Sequence, residues 1–567
     1  MKSFLSSRCN LLSFLLFALA LCAVVFVVWR QNDYPVTGID DANIFFSYAE
    51  NLAHGRGFVY ANNPEPVEGF TSMLWTLLCA VCFAIRVNET GVFVLSMFFL
   101  LGTQYICWKL LDRILEEKGI RPRFPKAFYA VGILSSAGYA TWMGITLMDV
   151  ALWGFFLAWF AWLFFSSCRE SGVPSPARLA ARAVPFALAP LVRPEFMAAV
   201  PAMLGLLFLR NLLLKRPIRH VFAWGGIFLA SLGVLAAFRL RYFGWPLPNT
   251  FYAKVSPSLF YNLDKGILYA LSFFTSSVFG ILFCASVAGW SVTLLLPSPQ
   301  RRLLPSSGHA PATAADMFLL WVVLLCGLPV LVGGDHFAYA RFYQPVYPLI
   351  CLGLVIAVPA GTWDAIPEKT GKTFSAIALW ALLPLGWNYS TSYLRSHWER
   401  QPAAHEFGLA ANGTTEGKMF NDVFADASRL PNVGVITAGG IARTYAGPLT
   451  DLMGLNNTTV AHFPGKREGL KNHAAFELAV FPALPVDVLP FSATNAFADN
   501  VLKGLFETPD FVAGWRCGRL ENRANGTTAD LCVRQSYLDS LLSSPAYGFR
   551  DTERWNGTAW VDIPPGD

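Results

Sequence analysis

The chain has 567 residues, with 43 Lys and Arg against 37 Asp and Glu, a net charge of +6. Only 14% of positions are charged, 54% are hydrophobic, and mean hydropathy is +0.44. This balance excludes a soluble globular chain, disorder, a coiled coil and a disulfide-stapled secreted scaffold, and the lack of a concentrated basic domain excludes nucleic acid as a partner.

In chain order, residues 10–29 follow Lys2 and Arg8 and are long enough to cross a hydrocarbon core, which puts the amino terminus inside. A cleaved signal peptide is the competing reading, but no small-x-small cleavage site follows. A long first outer loop, 31–90, then carries Asp40, Asp41, Glu50, Glu65 and Glu68. Its apolar run 71–86 is expected to lie at the outer interface, because a span there would put Arg113, Lys118, Arg121, Arg123 and Lys126 outside. Further spans are expected at 91–111, 127–143, 148–167, 183–192, 195–214, 221–243, 271–296, 316–332, 343–360 and 374–388. With this assignment each inside loop is basic: Arg169, Arg178 and Arg182; Lys215, Arg216 and Arg219; Arg301 and Arg302; Lys369 and Lys372. The fold class is therefore an α-helical polytopic membrane protein of about eleven spans over 1–389, with an α/β soluble domain over 390–567 on the outer face. Val433 to Thr437 is an expected buried strand of that domain.

Nine of the eleven cysteines lie before residue 360, mostly in apolar runs where they act as small hydrophobes. Cys517 and Cys532 bracket a polar stretch of the tail, which suggests a disulfide-closed loop in an oxidising compartment. No metal-ligand spacing appears among them.

The richest polar grouping begins at Gly38, in GIDDANIFFSYAENLAHGRGFVYANNPEPVEGFTSMLWTLL. Adjacent carboxylates where a chain leaves the membrane are costly unless they bind a ligand or do acid/base work. The alternative is helix capping by Asp41, with Phe45, Tyr48 and Leu52 docked on the membrane. Three more clusters fall on the same expected face: Arg193-Pro194-Glu195, the loop FGWPLPNTFYAK with Asn249, Thr250 and Lys254, and GGDHFAYARFYQP with Asp335, His336 and Arg341. Carboxylates, cations and interface aromatics together suit a lipid with a phosphate head. Snorkelling by Arg341 and Lys254, or simple pairing of Arg193 with Glu195, would explain each cluster singly.

In this order the motifs DDANIFFSYAENLAHGRGFVY…VEGFTSMLWTLL, RPE, PNTFYAK, GGDHFAYARFYQPVYPL and TYAGPLTDLMGLNN resemble the membrane-embedded GT-C glycosyltransferases, and within them the terminal arabinofuranosyltransferases of mycobacterial cell-wall arabinan. The resemblance runs from residue 40 to about 475. It implies transfer of a sugar, arabinofuranose or another pentose, from a polyprenyl-phosphate donor to a glycan or glycolipid acceptor on the outer face of a bacterial cytoplasmic membrane. It also implies an outer-loop acid near the sugar, which falls here on Asp40 or Asp41. Two positions depart from the family: Ser47-Tyr48 replaces an Arg-Tyr pair, and Leu147-Met148-Asp149-Val150 replaces a Gly-Met-Glu-Thr-like stretch.

Such a donor already carries a good leaving group, so positioning and electrostatics supply most of the catalysis. Asp41 is the expected general base, with Asp40 orienting it or hydrogen-bonding the sugar. Arg341 and Lys254 are expected on the phosphate, with His336 and Arg193 as further cations. Asn249, Thr250, Glu68, Asp335, Glu195 and Tyr48 are expected to shape the sugar and acceptor sites. No obligatory cofactor is expected, although a divalent metal beside the acids stays an open alternative. A polyprenyl-lipid flippase is the rival reading; it predicts polar residues in mid-span and inverted repeats, and neither is evident.

Overall fold

The computed structural model describes residues 2–33, 36–170, 172, 174–295, 313–364, 403–470 and 473–564. The expected span at 374–388 and the loops holding Arg301, Arg302, Lys369 and Lys372 lie outside these residues. The helices run α1 (Lys2–Gln31), α2 (Asp40–Ala53), α3 (Met73–Ala84), α4 (Asn88–Lys118), α5 (Arg123–Leu134), α6 (Ala137–Ala140), α7 (Val150–Arg169), α8 (Pro176–Val192), α9 (Phe196–Leu213), α10 (Arg219–Tyr242), α11 (Asn249–Lys254), α12 (Leu259–Thr275) and α13 (Val278–Leu295). Later helices include Ala314–Leu331, Tyr347–Ala357 and Ala404–Val423.

Among the described residues six helices are long and apolar enough to cross a membrane, or seven if the bent pair α12 and α13 is one span. Eleven were expected, and local chemistry explains much of the difference. The span expected at 127–143 breaks at Ser135 and Ser136: Ser136 Oγ accepts from the Tyr139 amide at 3.1 Å and starts a new turn, which runs into a π-turn at Thr141–Ile145. α8 runs unbroken through Pro185 and Pro190 over the expected 183–192 span, but its 17 residues fall short of the roughly 20 that a crossing needs. The expected 271–296 span is the region where α12 and α13 meet at 108°, with Ser277 Oγ accepting from the Gly280 amide at 3.0 Å. Only the short helix Tyr347–Ala357 forms where 343–360 was expected, and 71–86 yields the twelve-residue α3.

The chain divides into two compact units. The first comprises 1–36, 90–235 and 262–405. Its core holds α7, packed on α8, α9 and the helix Ala314–Leu331, which in turn packs on Tyr347–Ala357. The basic loops gather at one end of this unit: Arg113 bonds Ser166 Oγ at 2.9 Å and Arg216 bonds the Cys168 carbonyl at 2.8 Å.

The second unit comprises 37–89, 236–261 and 406–567. The tail therefore does not stand alone as a domain starting at 390; it shares its core with the first outer loop. A six-stranded mixed sheet runs in the order β2-β1-β3-β5-β4-β6, with β1 at Val433–Val435, β2 at Leu449–Asp451, β3 at Val488–Leu489, β4 at Trp515–Asn522, β5 at Thr527–Arg534 and β6 at Tyr547–Asp551. β1 runs parallel to β2 and β3, and the remaining pairs are antiparallel. Cys517 of β4 faces Cys532 of β5, and the two are joined by a disulfide across a Cα separation of 4.0 Å.

Candidate active site

The second unit is built around α2. Phe45, Phe46, Tyr48 and Ala49 are almost wholly buried on it, so the helix is a core element of the unit and its aromatic face is not docked on a membrane surface. Asp40 and Asp41 occupy its first turn, where the helix dipole favours negative charge. Their surroundings differ. Asp40 is 6% exposed, and its two oxygens accept from the backbone amides of Gly440 at 2.7 Å and Gly439 at 3.0 Å. A Cβ on Gly439 would fall 1.8 Å from the Asp40 carbonyl oxygen, so a glycine is required for this approach.

Asp41 is half-open: its carboxylate lies 3.7 Å from Lys254 Nζ, and each side chain is 21% exposed. Lys254 ends α11, whose opening residue Asn249 is held by its side-chain amide donating to the carbonyls of Gly454 at 2.7 Å and Leu455 at 3.0 Å. Among the described residues, Asn249 Oδ1 and Thr250 Oγ1 are buried without a hydrogen-bond partner.

One acid of the site was missed from the sequence. Asp451 ends β2 inside the quoted TYAGPLTDLMGLNN run and is fully buried. It accepts from the amides of Met453 and Asn456, both at 2.8 Å, and from Asn456 Nδ2 at 2.9 Å. Asn456 Oδ1 accepts from Tyr48 at 3.1 Å, and the Tyr48 oxygen accepts from the Gly69 amide at 3.2 Å. Tyr48 thus stands in a buried network that runs from α2 to β2. The available signal was an acid directly after a buried strand, followed by turn-forming Gly and Asn.

Burial raises the Asp40 carboxyl to about 6, against the pull of the two glycine amides and with help from the charges of Asp41 and Asp451. Burial likewise raises Asp451 to about 6, opposed by its amide donors and by Lys254. Three carboxylates and one ammonium give an excess of negative charge in a partly dehydrated place. Such a place attracts a proton or a developing cation.

Glu68, expected to shape the sugar or acceptor site, is held by an arginine. It is 2% exposed and forked by Arg239, with Nη2 at 2.7 Å and Nε at 2.8 Å from its oxygens. This fork neutralises the Glu68 charge and ties the end of α10 to the first outer loop. Arg239 lies in an apolar span, and its role was not visible in the sequence.

The other expected residues belong to the first unit. Arg193 donates to both oxygens of Asp149, at 2.8 and 3.1 Å, and through Nε and Nη2 to Glu195 at 3.0 and 2.7 Å. Its guanidinium also stands 4.6 Å from the Trp153 ring. Burial would weaken its charge, but Asp149 and Glu195 outweigh burial and raise its pKa above the ordinary guanidinium value. Arg341 is 5% exposed, 2.6 Å from Asp335, and its guanidinium is 4.3 Å from the Phe337 ring. His336 Nδ1 lies 3.4 Å from Asp335.

Trp515 of the tail is 6% exposed and stacked on Phe511 at 5.1 Å, a core position that also lines a groove of about 570 Å³. Among the described residues, the one cluster of metal-ligating types is Cys517, Cys532 and Glu553, and its two sulfurs are consumed by the disulfide.

No family model matches the chain, and no curated protein is similar to it. Among solved structures, the chain is similar to the crystal structure of ArnT from Cupriavidus metallidurans bound to undecaprenyl phosphate. The match has 12% identity and a TM-score of 0.46, and covers 76% of this chain and 84% of that one. At that score the likeness supports no argument, and the functional reading rests on the geometry.

Proposed function

We propose that the chain is a membrane glycosyltransferase of the GT-C type that moves a sugar, a pentose such as arabinofuranose, from a polyprenyl-phosphate donor to a cell-envelope glycan or glycolipid. One observation carries this reading: an acid set with excess negative charge, Asp40, Asp41 and Asp451, sits beside a single partly exposed ammonium, Lys254, in a chain rich in apolar spans. Sugar transfer from a phosphate places positive charge on the anomeric carbon and negative charge on the departing phosphate, and such a set meets both.

Asp41 is the general base. Its side chain is 21% exposed, the most open of the three acids, whereas Asp40 and Asp451 are buried. Asp40 and Asp451 set the local field, and Lys254 moves from Asp41 toward the phosphate oxygen as the donor binds. The proposal needs no obligatory metal, because an ammonium can take the charge of a lipid monophosphate. It places the chain in a bacterial cytoplasmic membrane with the second unit outside, a placement supported by the basic loops gathered at one end of the first unit.

The test is a purified-protein assay with radiolabelled polyprenyl-phosphate pentose and a glycan acceptor in detergent, where no gradient exists. Label appearing in the glycan supports transfer. Lipid movement in vesicles without glycan labelling would instead establish the flippase.

A further inference from the structure

The Lys254 ammonium stands on a helix too short to hold itself. α11 has six residues, fewer than an isolated helix needs to persist in water, so its place is set by what grips its two ends. At the first end the Asn249 amide donates to the Glu68 carbonyl at 3.0 Å, and the Asn249 side chain reaches the carbonyls of Gly454 and Leu455. At the last end Val255 is already extended, so the Tyr252 carbonyl belongs to the final turn, whose carbonyls have no helical donor. Arg467 Nε donates to that carbonyl at 3.1 Å.

Arg467 is 7% exposed, and its other nitrogens grip the chain around it: Nη2 donates to the carbonyls of Ala461 at 2.7 Å and Phe463 at 2.6 Å, and Nη1 to that of Ala475 at 3.4 Å. The charge of Glu477 also acts on it. Its backbone is left-handed, with φ 55°, a conformation that costs a residue with a Cβ more than it costs glycine. Four carbonyl bonds offset that cost and fix the planar guanidinium in one place. Beside it, Ser256 Oγ donates to the Lys466 carbonyl at 2.9 Å, and the His462 ring stacks on Trp245 at 3.6 Å and lies 4.2 Å from the Tyr252 ring. The stretch so gripped follows the turn whose Met453 and Asn456 amides hold Asp451. Asn249 at one end of α11 and Arg467 at the other therefore tie the helix of Lys254 to the segment that carries Asp451.

We propose that Arg467 is a positioning residue for sugar transfer: by capping α11 at Tyr252 it keeps the Lys254 ammonium beside Asp41, where the donor phosphate meets it. The inference rests on the transferase reading above. Arg467→Lys keeps the charge but lacks the fork that serves several carbonyls at once, so α11 loosens. Steady-state transfer by the full chain, with radiolabelled polyprenyl-phosphate pentose at saturating acceptor, is expected to show a donor KM raised about ten-fold. A merely structural arginine would lower kcat through loss of folded protein and leave the donor KM unchanged, and that result would overturn the proposal. In a Lys254→Met background binding of the labelled donor is measured directly, and Arg467→Lys is expected to weaken it no further, because the group it positions is gone. A further ten-fold loss there would overturn the proposal as well. If Arg467→Lys does not fold, Ser256→Ala, which releases the Lys466 carbonyl, is expected to raise the donor KM about two-fold, and an unchanged value would count against the clamp. No labelled glycan from the unaltered protein would remove the transferase reading itself, whereas labelling with an unmoved donor KM in these variants removes the clamp alone.

Discussion

Asp149 and Asp40 are both buried aspartates near the start of a helix, one in each unit, and they are kept in opposite ways. Asp149 shares Arg193 with Glu195, so every charge in that cluster meets an opposite charge within 3.1 Å. Among the described residues, Asp40 has two glycine amides and no cation in hydrogen-bonding reach, and the same holds for Asp451 with its amide donors. An Arg fork fixes a carboxylate as a permanent anion and makes it a structural element. Amides alone leave the proton affinity of a buried acid high, near 6 for both groups, and poised to respond to a ligand. The comparison assigns architecture to the paired clusters, including Glu68 with Arg239, and chemistry to the amide-held set.

The largest effect expected from breaking the paired side is Arg193→Met, which strands Asp149 and Glu195 without a counter-charge. It should cost about 3–5 kcal/mol, read as a sharp fall in the thermal midpoint. Asp40→Asn should cost far less, about 1–2 kcal/mol for one mismatched amide donor. Equal losses in the two variants would erase the distinction. Gly439→Ala sharpens it from the other side. The added methyl meets the Asp40 carbonyl, so activity should drop by two orders of magnitude or more through misplacement of the acid set, roughly as expected for a displaced catalytic group.

A third test uses pH. Asp40 and Asp451 have folded-state values near 6, above the ordinary carboxylate range, so the folded chain holds protons that the unfolded chain releases. The stability they contribute is complete below about 4 and is lost as pH rises through about 6, on the order of 3 kcal/mol for one such group. Glu416, raised by burial to about 7, adds a loss of the same sign slightly higher. Midpoints measured from pH 4 to 7 should fall, and Asp451→Asn should flatten part of the slope. Transfer should rise over the same interval as the acids ionise. The smallest effect belongs to Tyr48→Phe, which removes the bond to Asn456 and the acceptor for Gly69 and should cost about 1 kcal/mol in unfolding experiments.

Much of this was readable from residue types alone. Apolar runs with basic loops announced the membrane helices, and Asp40, Asp41 and Lys254 were singled out because charges at the ends of spans are costly. The helix breaks were hidden because hydropathy averages over a window, and a pair such as Ser135-Ser136 barely changes the average while ending a helix. Arg239 was hidden for another reason: its partner Glu68 lies about 170 positions away, and no local pattern encodes such pairing. For the same reason the Arg239 fork of Glu68 could not be read from the sequence.

The central claim is that the accessible acid of the amide-held set takes the acceptor's proton. It is tested most directly by single-turnover sugar transfer with Asp41→Asn, alongside binding of the polyprenyl-phosphate donor measured separately. The account predicts donor binding within about two-fold of the unaltered protein and transfer slowed by about 10²–10⁴-fold. Transfer at the unaltered rate with donor bound would contradict it.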